Sequence, residues 1–470
     1  MKEIDEQMPR KSPNSRLAAL LTETGMSGAE LARDVNALGA AQGRTLRYDR
    51  TSVAHWLGGS RPRPPVPDLV AQALSRRTAR LVTAEDTGLA QPVPVAPWFA
   101  RLGAAGPDAR LAVLCRSESD PGRRGPLLRS SYVLSDPMPA DRTSRRSDRV
   151  PPRPAQATAG GGGRAGPPAT AATAQTLDVV ARLFTSLSGA HGGGHARTAL
   201  AAYLADDACA LLAAPATTAV HRDLLVGTAR LTHILGTMTT DAGHHGLAQR
   251  YYRTAIDLAH ESGENTTAAI TLRALSTQAT LLGHPHHAHQ LAEAAIDTAG
   301  RTPDPAVRAF VHAQRALTHA HQHRRREALA DLTAAESAHD RASSPPGPFT
   351  AYPRAGLDYL KAEVLLALKE PEQALTALRD AVRHRSATQH KSYALTHGLL
   401  AETLLRIGHL EAACTHWNQF LDHYPHLRSA QARQALDRLS GALAPHGAQR
   451  QAAAVRKRAG AFLKAGDGIY

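Results

Sequence analysis

The chain is predicted to be all-α, a small helical bundle followed by a linker and a long array of helical hairpins, on three observations. Of 470 residues 43% are hydrophobic but only 4% aromatic, so the cores must be built from Ala and Leu, a composition that favours closely packed helices over sheets. Between residues 14 and 90 apolar side chains recur at three- and four-residue intervals, the helical period. From about residue 220 a pattern of small residues recurs five times, the mark of a repeat architecture.

The first unit covers residues 14–90. Leu17, Leu20 and Leu21 give a first helix one apolar face, and Gly25 stops it. Ser27-Gly28-Ala29-Glu30 spells a capping box, in which Ser27 accepts from the third helical amide while Glu30 reaches back. Leu31, Ala32, Val35 and Leu38 line a second helix, which Gly43 ends. Asp49 is an N-cap for a third helix from Arg50 to Leu57, with Val53, Trp56 and Leu57 inward and Gly58-Gly59 as its stop. Pro67 to Leu74 makes a fourth, and the stretch to Leu89 closes the bundle.

The third helix carries the functional expectation. Eight residues at 1.5 Å rise span about 12 Å, comparable to the width of the B-DNA major groove. With Val53 and Trp56 buried, Arg50, Thr51, Ser52 and His55 face outward. In a helix-turn-helix such side chains meet base edges, and Arg61 and Arg63 just beyond suit phosphate anchoring. Together with Tyr48 and Asp49 at the helix entrance, these residues form the candidate interface with double-stranded DNA.

Leu31-Ala32-Arg33 and Thr51-Ser52-Val53-Ala54-His55-Trp56-Leu57-Gly58-Gly59-Ser60-Arg61-Pro62 resemble the Cro/repressor (XRE-type) helix-turn-helix. A small residue on helix two packs on helix three in that family, and a hydrophobic-x-x-Trp element precedes a Gly-rich exit. Residues 39–48 make the connector far longer than the usual turn. Leu46-Arg47-Tyr48-Asp49-Arg50-Thr51-Ser52-Val53 is similar to an actinomycete subfamily with the same extended turn.

Residues 91–174 are rich in Pro, Gly, Ser and Arg and are expected to be a largely disordered linker. The run from Arg145 through Gly160-Gly161-Gly162-Gly163 to Pro168 offers too little apolar surface to fold. Weak apolar patches at Leu111-Ala112-Val113-Leu114 and Tyr132-Val133-Leu134 are compatible with short strands.

Residues 175–443 form the repeat array. A small residue, an apolar one four later and another three beyond that recur as Ala248/Tyr252/Ala255, Ala288/Ala292/Ala295, Ala328/Leu332/Ala335, Ala374/Leu378/Ala381 and Ala413/Trp417/Phe420. The first members lie 40, 40, 46 and 39 residues apart, and Gly236, Ser276, Ala316, Ala362 or Ala401 stands twelve residues before each. These are the positions at which paired helices of a tetratricopeptide repeat touch and tolerate no bulk, so a tetratricopeptide-like helical repeat solenoid is expected, with residues 175–215 as its opening helix pair and 444–470 as a basic tail. The usual period in that family is 34 residues, which implies longer helices or loops here. Such arrays present concave surfaces to peptides or proteins.

Gly192-Gly193-Gly194-His195-Ala196-Arg197 and Asp241-Ala242-Gly243-His244-His245-Gly246-Leu247-Ala248-Gln249-Arg250, taken with the N-terminal unit, resemble the actinomycete helix-turn-helix/tetratricopeptide regulators, whose type members are the Nsd-type negative regulators of sporulation and antibiotic production. The resemblance implies a transcriptional regulator, a repressor of development or secondary metabolism. The domain order is shared with peptide-pheromone regulators, which makes a peptide or protein ligand and a homodimer the expected partners. The alternative is an interaction scaffold that acts through the repeats without touching DNA.

The formal net charge of +14 is unevenly spread. Residues 1–99 carry 13 Lys/Arg against 10 Asp/Glu and residues 100–168 carry 12 against 6, whereas 169–440 are nearly balanced at 25 against 24. A basic front and a neutral array suit a polyanion met by the front. Cys115, Cys209 and Cys414 form no CxxC pair or disulfide framework, the acidic N-terminus has no apolar signal core, and no stretch approaches the ~20 apolar residues of a membrane span. A cytoplasmic, nucleoid-associated protein without membrane attachment is the expectation.

Catalysis, cofactors and metals are not expected. Gly25-Met26-Ser27-Gly28-Ala29 fails as a nucleophile elbow, which leaves His191-Gly192-Gly193-Gly194 without a nucleophile, and no phosphate-binding loop or H-E-x-x-H occurs. His284, His286, His287 and His289 cluster, as do His319, His321 and His323, but the first group reads as an inter-helix loop with no Cys or carboxylate at a set spacing.

Overall fold

The computed structural model describes residues 12–41, 45–63, 65–78, 82, 84, 86–90, 106–134, 168–300, 304–343, 349 and 352–466. Among them the secondary structure is helical throughout, with no strand. The chain divides into two compact units, residues 1–95 with 433–470, and residues 96–432.

In the first unit, α1 (Ser15–Thr24), α2 (Gly28–Ala41), α3 (Arg50–Leu57) and α4 (Val66–Thr78) surround Leu17, Leu20, Leu31, Val35, Val53, Trp56, Leu69 and Leu74. Asn14 caps α1 by accepting from the Leu17 amide at 3.1 Å, and its own amide donates to the Thr87 carbonyl at 2.8 Å. Gly25 ends α1 at φ +61°, a conformation glycine adopts without a Cβ penalty. The expected capping box on α2 is formed: the Glu30 amide donates to Ser27 Oγ at 3.2 Å and the Ser27 amide to Glu30 Oε2 at 2.8 Å. Val82 and Leu89 complete the core beyond α4. Gly43, the expected end of the second helix, lies outside the described residues. The same unit holds residues 433–470, where the expected tail is instead largely helix α21 (Arg450–Gly466), with Ala452, Val455 and Ala459 buried at helical spacing.

In the second unit, part of the expected linker folds. Residues 106–134 are ordered: α5 (Pro107–Ser119) and α6 (Pro121–Leu128) bury Leu111, Leu114, Cys115 and Leu127 in one core with the start of the array. The apolar patch at 111–114 is therefore helix and not strand: Leu111 and Leu114 share the buried face with Cys115, and Ala112 and Val113 lie beside it. Residues 131–134 have no regular secondary structure and are pinned by the Gln249 side chain, which donates to the Val133 carbonyl at 2.6 Å and accepts from its amide at 3.0 Å. Residues 91–105 and 135–167, including the four-glycine run, lie outside the described residues.

The array opens with α7 (Ala171–His191), then α8 (Arg197–Tyr203), a π-helical turn at Leu204–Ala208, and α9 (Cys209–Ala213). Five hairpins follow: α10/α11 (Thr218–Asp241, His245–Ser262), α12/α13 (Asn265–Leu281, Pro285–Ala299), α14/α15 (Pro305–His321, Arg325–Asp340), α16/α17 (Arg354–Ala367, Pro371–His384) and α18/α19 (His390–Arg406, Leu410–His423). Helix α20 (Ala430–Ala442) comes next. All fifteen positions of the recurring pattern are buried. The small residues twelve before each repeat are the contacts between paired helices: a Cβ on Gly236 would stand 2.7 Å from the Tyr252 ring, and Ser276 donates to the Ala288 carbonyl at 2.7 Å.

The five hairpin turns share one design. Gly243, Gly283, His323, Lys369 and Gly408 all have positive φ, at the same 40-, 40-, 46- and 39-residue intervals. The next amide in each, from His244, His284, Arg324, Glu370 or His409, returns to a carbonyl five residues back at 2.9–3.0 Å. The first helices of successive hairpins pack on one another from α10 to α16, whereas the second helices barely meet, so the first helices form the inner face.

The 46-residue interval falls between α15 and α16, where Phe349 and Tyr352 rest against that face. Phe349 packs edge-on against His233 at 5.2 Å, under Arg230, and Tyr352 stacks on Phe310 at 4.3 Å beside Arg273. These partners stand on α10, α12 and α14.

Candidate nucleic-acid interface

Two features fix the orientation of α3. Inward, Val53 is fully buried and Trp56 nearly so. At its start, Asp49 accepts from both the Ser52 amide and the Ser52 hydroxyl at 2.8 Å. That hydrogen bonding, foremost from the Ser52 backbone, holds the Asp49 carboxyl below its usual value. The long connector is held by a residue that the sequence pattern did not single out. The Asn36 side chain donates to the Tyr48 carbonyl at 2.8 Å and accepts from the Tyr48 amide at 2.9 Å. It thereby satisfies both backbone groups of Tyr48, as a neighbouring strand would. The signal available was an Asn on an amphipathic helix preceding an unusually long turn.

The eight candidate residues consequently fall into two sets. Tyr48 is half-buried, meets Trp56 edge-on at 5.2 Å and belongs to the core. Asp49 and Ser52 are engaged with each other as the cap. Arg50, Thr51 and His55 are exposed on α3, and Arg61 and Arg63 are exposed just past it. On α2, Arg33 is likewise exposed. A Cβ on Gly28 would lie 3.4 Å from Val53, so the start of α2 rests on α3. The surface can supply forked guanidinium donors and a hydroxyl on one short helix, the chemistry that reads base edges and grips phosphates.

The two motifs behind the resemblance in the array have structural work of their own. Gly193 donates its amide to Asp241 Oδ2 at 2.6 Å, and a Cβ there would sit 2.4 Å from the Met238 carbonyl oxygen. Asp241 Oδ1 accepts from Ser429 at 2.7 Å, and Lys391 approaches Oδ2 at 3.4 Å. Gly194 donates to the Arg428 carbonyl at 2.8 Å, and the Arg428 amide donates to His191 at 2.7 Å. The start of the array is thus latched to its end, with α7 also packed on α18. Gly246 leaves room for residues 130–131, since a Cβ there would overlap the Ser130 carbonyl. Arg197 pairs with buried Glu118 at 2.5 Å, and the Tyr251 hydroxyl donates to the same carboxylate.

Among the described residues no helix is long and apolar enough to cross a membrane. No curated protein and no solved structure matches the chain. A family model described as the SP15 N-terminal domain matches residues 17–90, the four-helix unit that carries the exposed α3 surface.

Proposed function

We propose that this chain is a sequence-specific DNA-binding transcriptional regulator whose α3 enters the major groove. The observation that supports it most is the exposure of Arg50, Thr51 and His55 on an eight-residue helix whose rotation is set by buried Val53 and Trp56. Arg50 and Thr51 are the base-reading candidates, with His55 beside them; Arg61 and Arg63 would hold phosphates. Tyr48, Asp49 and Ser52 act indirectly, by fixing the helix entrance. Two copies in a homodimer would set their helices about 34 Å apart on a pseudo-palindromic site.

The array supplies the dimer contact or binds a peptide or protein. A ligand on the inner face of the first three hairpins would have to displace Phe349 and Tyr352 from Arg230, His233 and Arg273. Coupling to DNA requires that the ligand bind two arrangements of the protein unequally. A role in repressing development or secondary metabolism, exercised at the nucleoid, follows from the resemblance to the Nsd-type regulators.

The test is selection of genomic fragments by the full-length chain near physiological salt with excess competitor, because a +14 protein binds DNA non-specifically when salt is low. A shared inverted repeat is expected. Arg50→Ala should cost ~1–3 kcal/mol and relax one position of the site, whereas Arg63→Ala should weaken all sequences evenly and reduce the salt dependence by about one phosphate contact. Wild-type binding by both variants would refute this assignment of the reading helix. Absence of any enriched sequence, with residues 12–90 alone also silent, would favour the scaffold.

A further inference from the structure

The first histidine cluster, expected as an inter-helix loop, lies largely in a helix: His286, His287 and His289 are all in α13. His289 lies within α13, one turn before Glu293, so both project from one face of that helix; His319 comes from the last turn of α14. One potential ligand atom from each of the three lies within 4.8 Å of the others, and the two imidazole rings are 4.7 Å apart.

Hydrogen bonding assigns the protons. The Thr318 hydroxyl donates to the Arg315 carbonyl at 2.8 Å, so towards His289 Nδ1, at 3.1 Å, it acts as the acceptor. Nδ1 therefore carries the proton and Nε2 the lone pair. That lone pair faces Glu293 Oε1 at 3.6 Å, too far for a hydrogen bond. Two ligands on a tetrahedral zinc, each at 2.0–2.1 Å, stand roughly 3.4 Å apart. His319 is buried; its Nε2 faces Asp331 Oδ2 at 3.6 Å, and its Nδ1 has no hydrogen-bond partner. The 3.6 Å approach to Asp331 is not a hydrogen bond either, so what marks His319 is a buried ring nitrogen with no hydrogen-bond partner in the protein. Asp331 is itself held by Arg315 at 2.8 Å and by His312 at 2.9 Å.

We propose that His289, Glu293 and His319 form a site for one divalent transition-metal ion of the zinc or nickel class, stapling the second hairpin to the third. Two imidazoles and one carboxylate suit that class and not calcium or magnesium, which take oxygen ligands. Glu293 divides its oxygens: Arg315 approaches Oε2 at 3.2 Å and the more distant Oε1 at 3.5 Å, and Oε1 turns to His289. The nearby guanidinium opposes a second cation and limits the affinity. Glu293 is 42% exposed and provides the route for the ion and for a water as fourth ligand. The proposal does not depend on DNA binding.

The full-length chain, stripped with chelator and exchanged into chelator-free buffer, is titrated with zinc chloride by calorimetry and followed by thermal unfolding. The wild type should bind one equivalent more than His289→Asn/His319→Asn, and zinc should raise its melting temperature but not that of the variant. His284→Asn/His286→Asn should match the wild type. If the double variant does not fold, Glu293→Gln at the exposed ligand replaces it and should weaken the site at least tenfold. Equal stoichiometry and equal zinc-dependent melting in wild type and site variants, or no zinc binding by the wild type, would overturn the proposal.

Discussion

Replacing Asp241 with Ala should open the array where its first hairpin meets its last. The Asp241 carboxylate is almost fully buried, 2% exposed, and accepts from the Gly193 amide and the Ser429 hydroxyl beside the Lys391 ammonium. Net hydrogen bonds to a charged group are worth ~1.5–3 kcal/mol each, and removing one partner of a buried charge pair costs ~3–5 kcal/mol because the other groups stay desolvated. The two estimates overlap at about 3–5 kcal/mol. Ser429 also accepts from the Ala432 amide at 3.1 Å, so the start of α20 loosens with it. Hydrogen exchange followed by mass spectrometry reads the effect locally. Peptides covering 192–197 and 428–432 should exchange at least 100-fold faster in Asp241→Ala, the ratio for about 3 kcal/mol, while peptides of α1–α4 keep wild-type rates. Wild-type protection at both latch segments would refute the conclusion that Asp241 ties the ends together. Gly193→Ala should give the same pattern through a different cause, since its methyl would meet the Met238 carbonyl.

Three further outcomes are expected. Asn36→Ala leaves the Tyr48 amide and carbonyl without their partner; it should destabilise the N-terminal unit by about 2 kcal/mol in urea unfolding monitored by exchange in residues 45–57, and weaken DNA binding in parallel. Lys369 has φ +66° where three of the other turns have glycine, so Lys369→Gly should raise stability by about 0.5–1 kcal/mol whereas Lys369→Ala should not; a lower urea midpoint for the glycine variant would contradict the turn assignment. His233 is buried between Tyr252 and Phe349, beside Arg273, and burial lowers its pKa to about 3. The ring is neutral in the fold and takes up a proton on unfolding below its ordinary value near 6.5, so stability must fall as pH drops through that window, by about 2 kcal/mol between pH 7 and 5. His233→Gln should flatten this part of the pH profile; an unchanged slope would show that another group is responsible.

The candidate interface was only partly legible in the sequence. The period of Leu, Val and Trp located α3, and the Asp49 cap located its first turn. Outward position alone could not separate side chains free to meet a partner from those engaged within the protein. Ser52 is tied to Asp49 and Tyr48 rests on Trp56, contacts that depend on the path of a connector whose composition gives no period. The helices at 107–128, inside the expected linker, escape the sequence for a related reason. Residues 106–134 are poor in apolar side chains, and Leu111, Leu114, Cys115 and Leu127 find a core only because the array supplies its other wall.

By itself the sequence determined the helical class, the apolar faces of the N-terminal helices and the register of all five hairpins. Each depends on side-chain volume at a fixed helical spacing, and volume is written locally. Tertiary structure alone decided that Asp241 meets Ser429 across 188 residues, that Phe349 and Tyr352 lie over the inner face, and that His289, Glu293 and His319 converge. Those juxtapositions depend on how one hairpin packs on the next and on where the connections between hairpins run, which no local sequence pattern records.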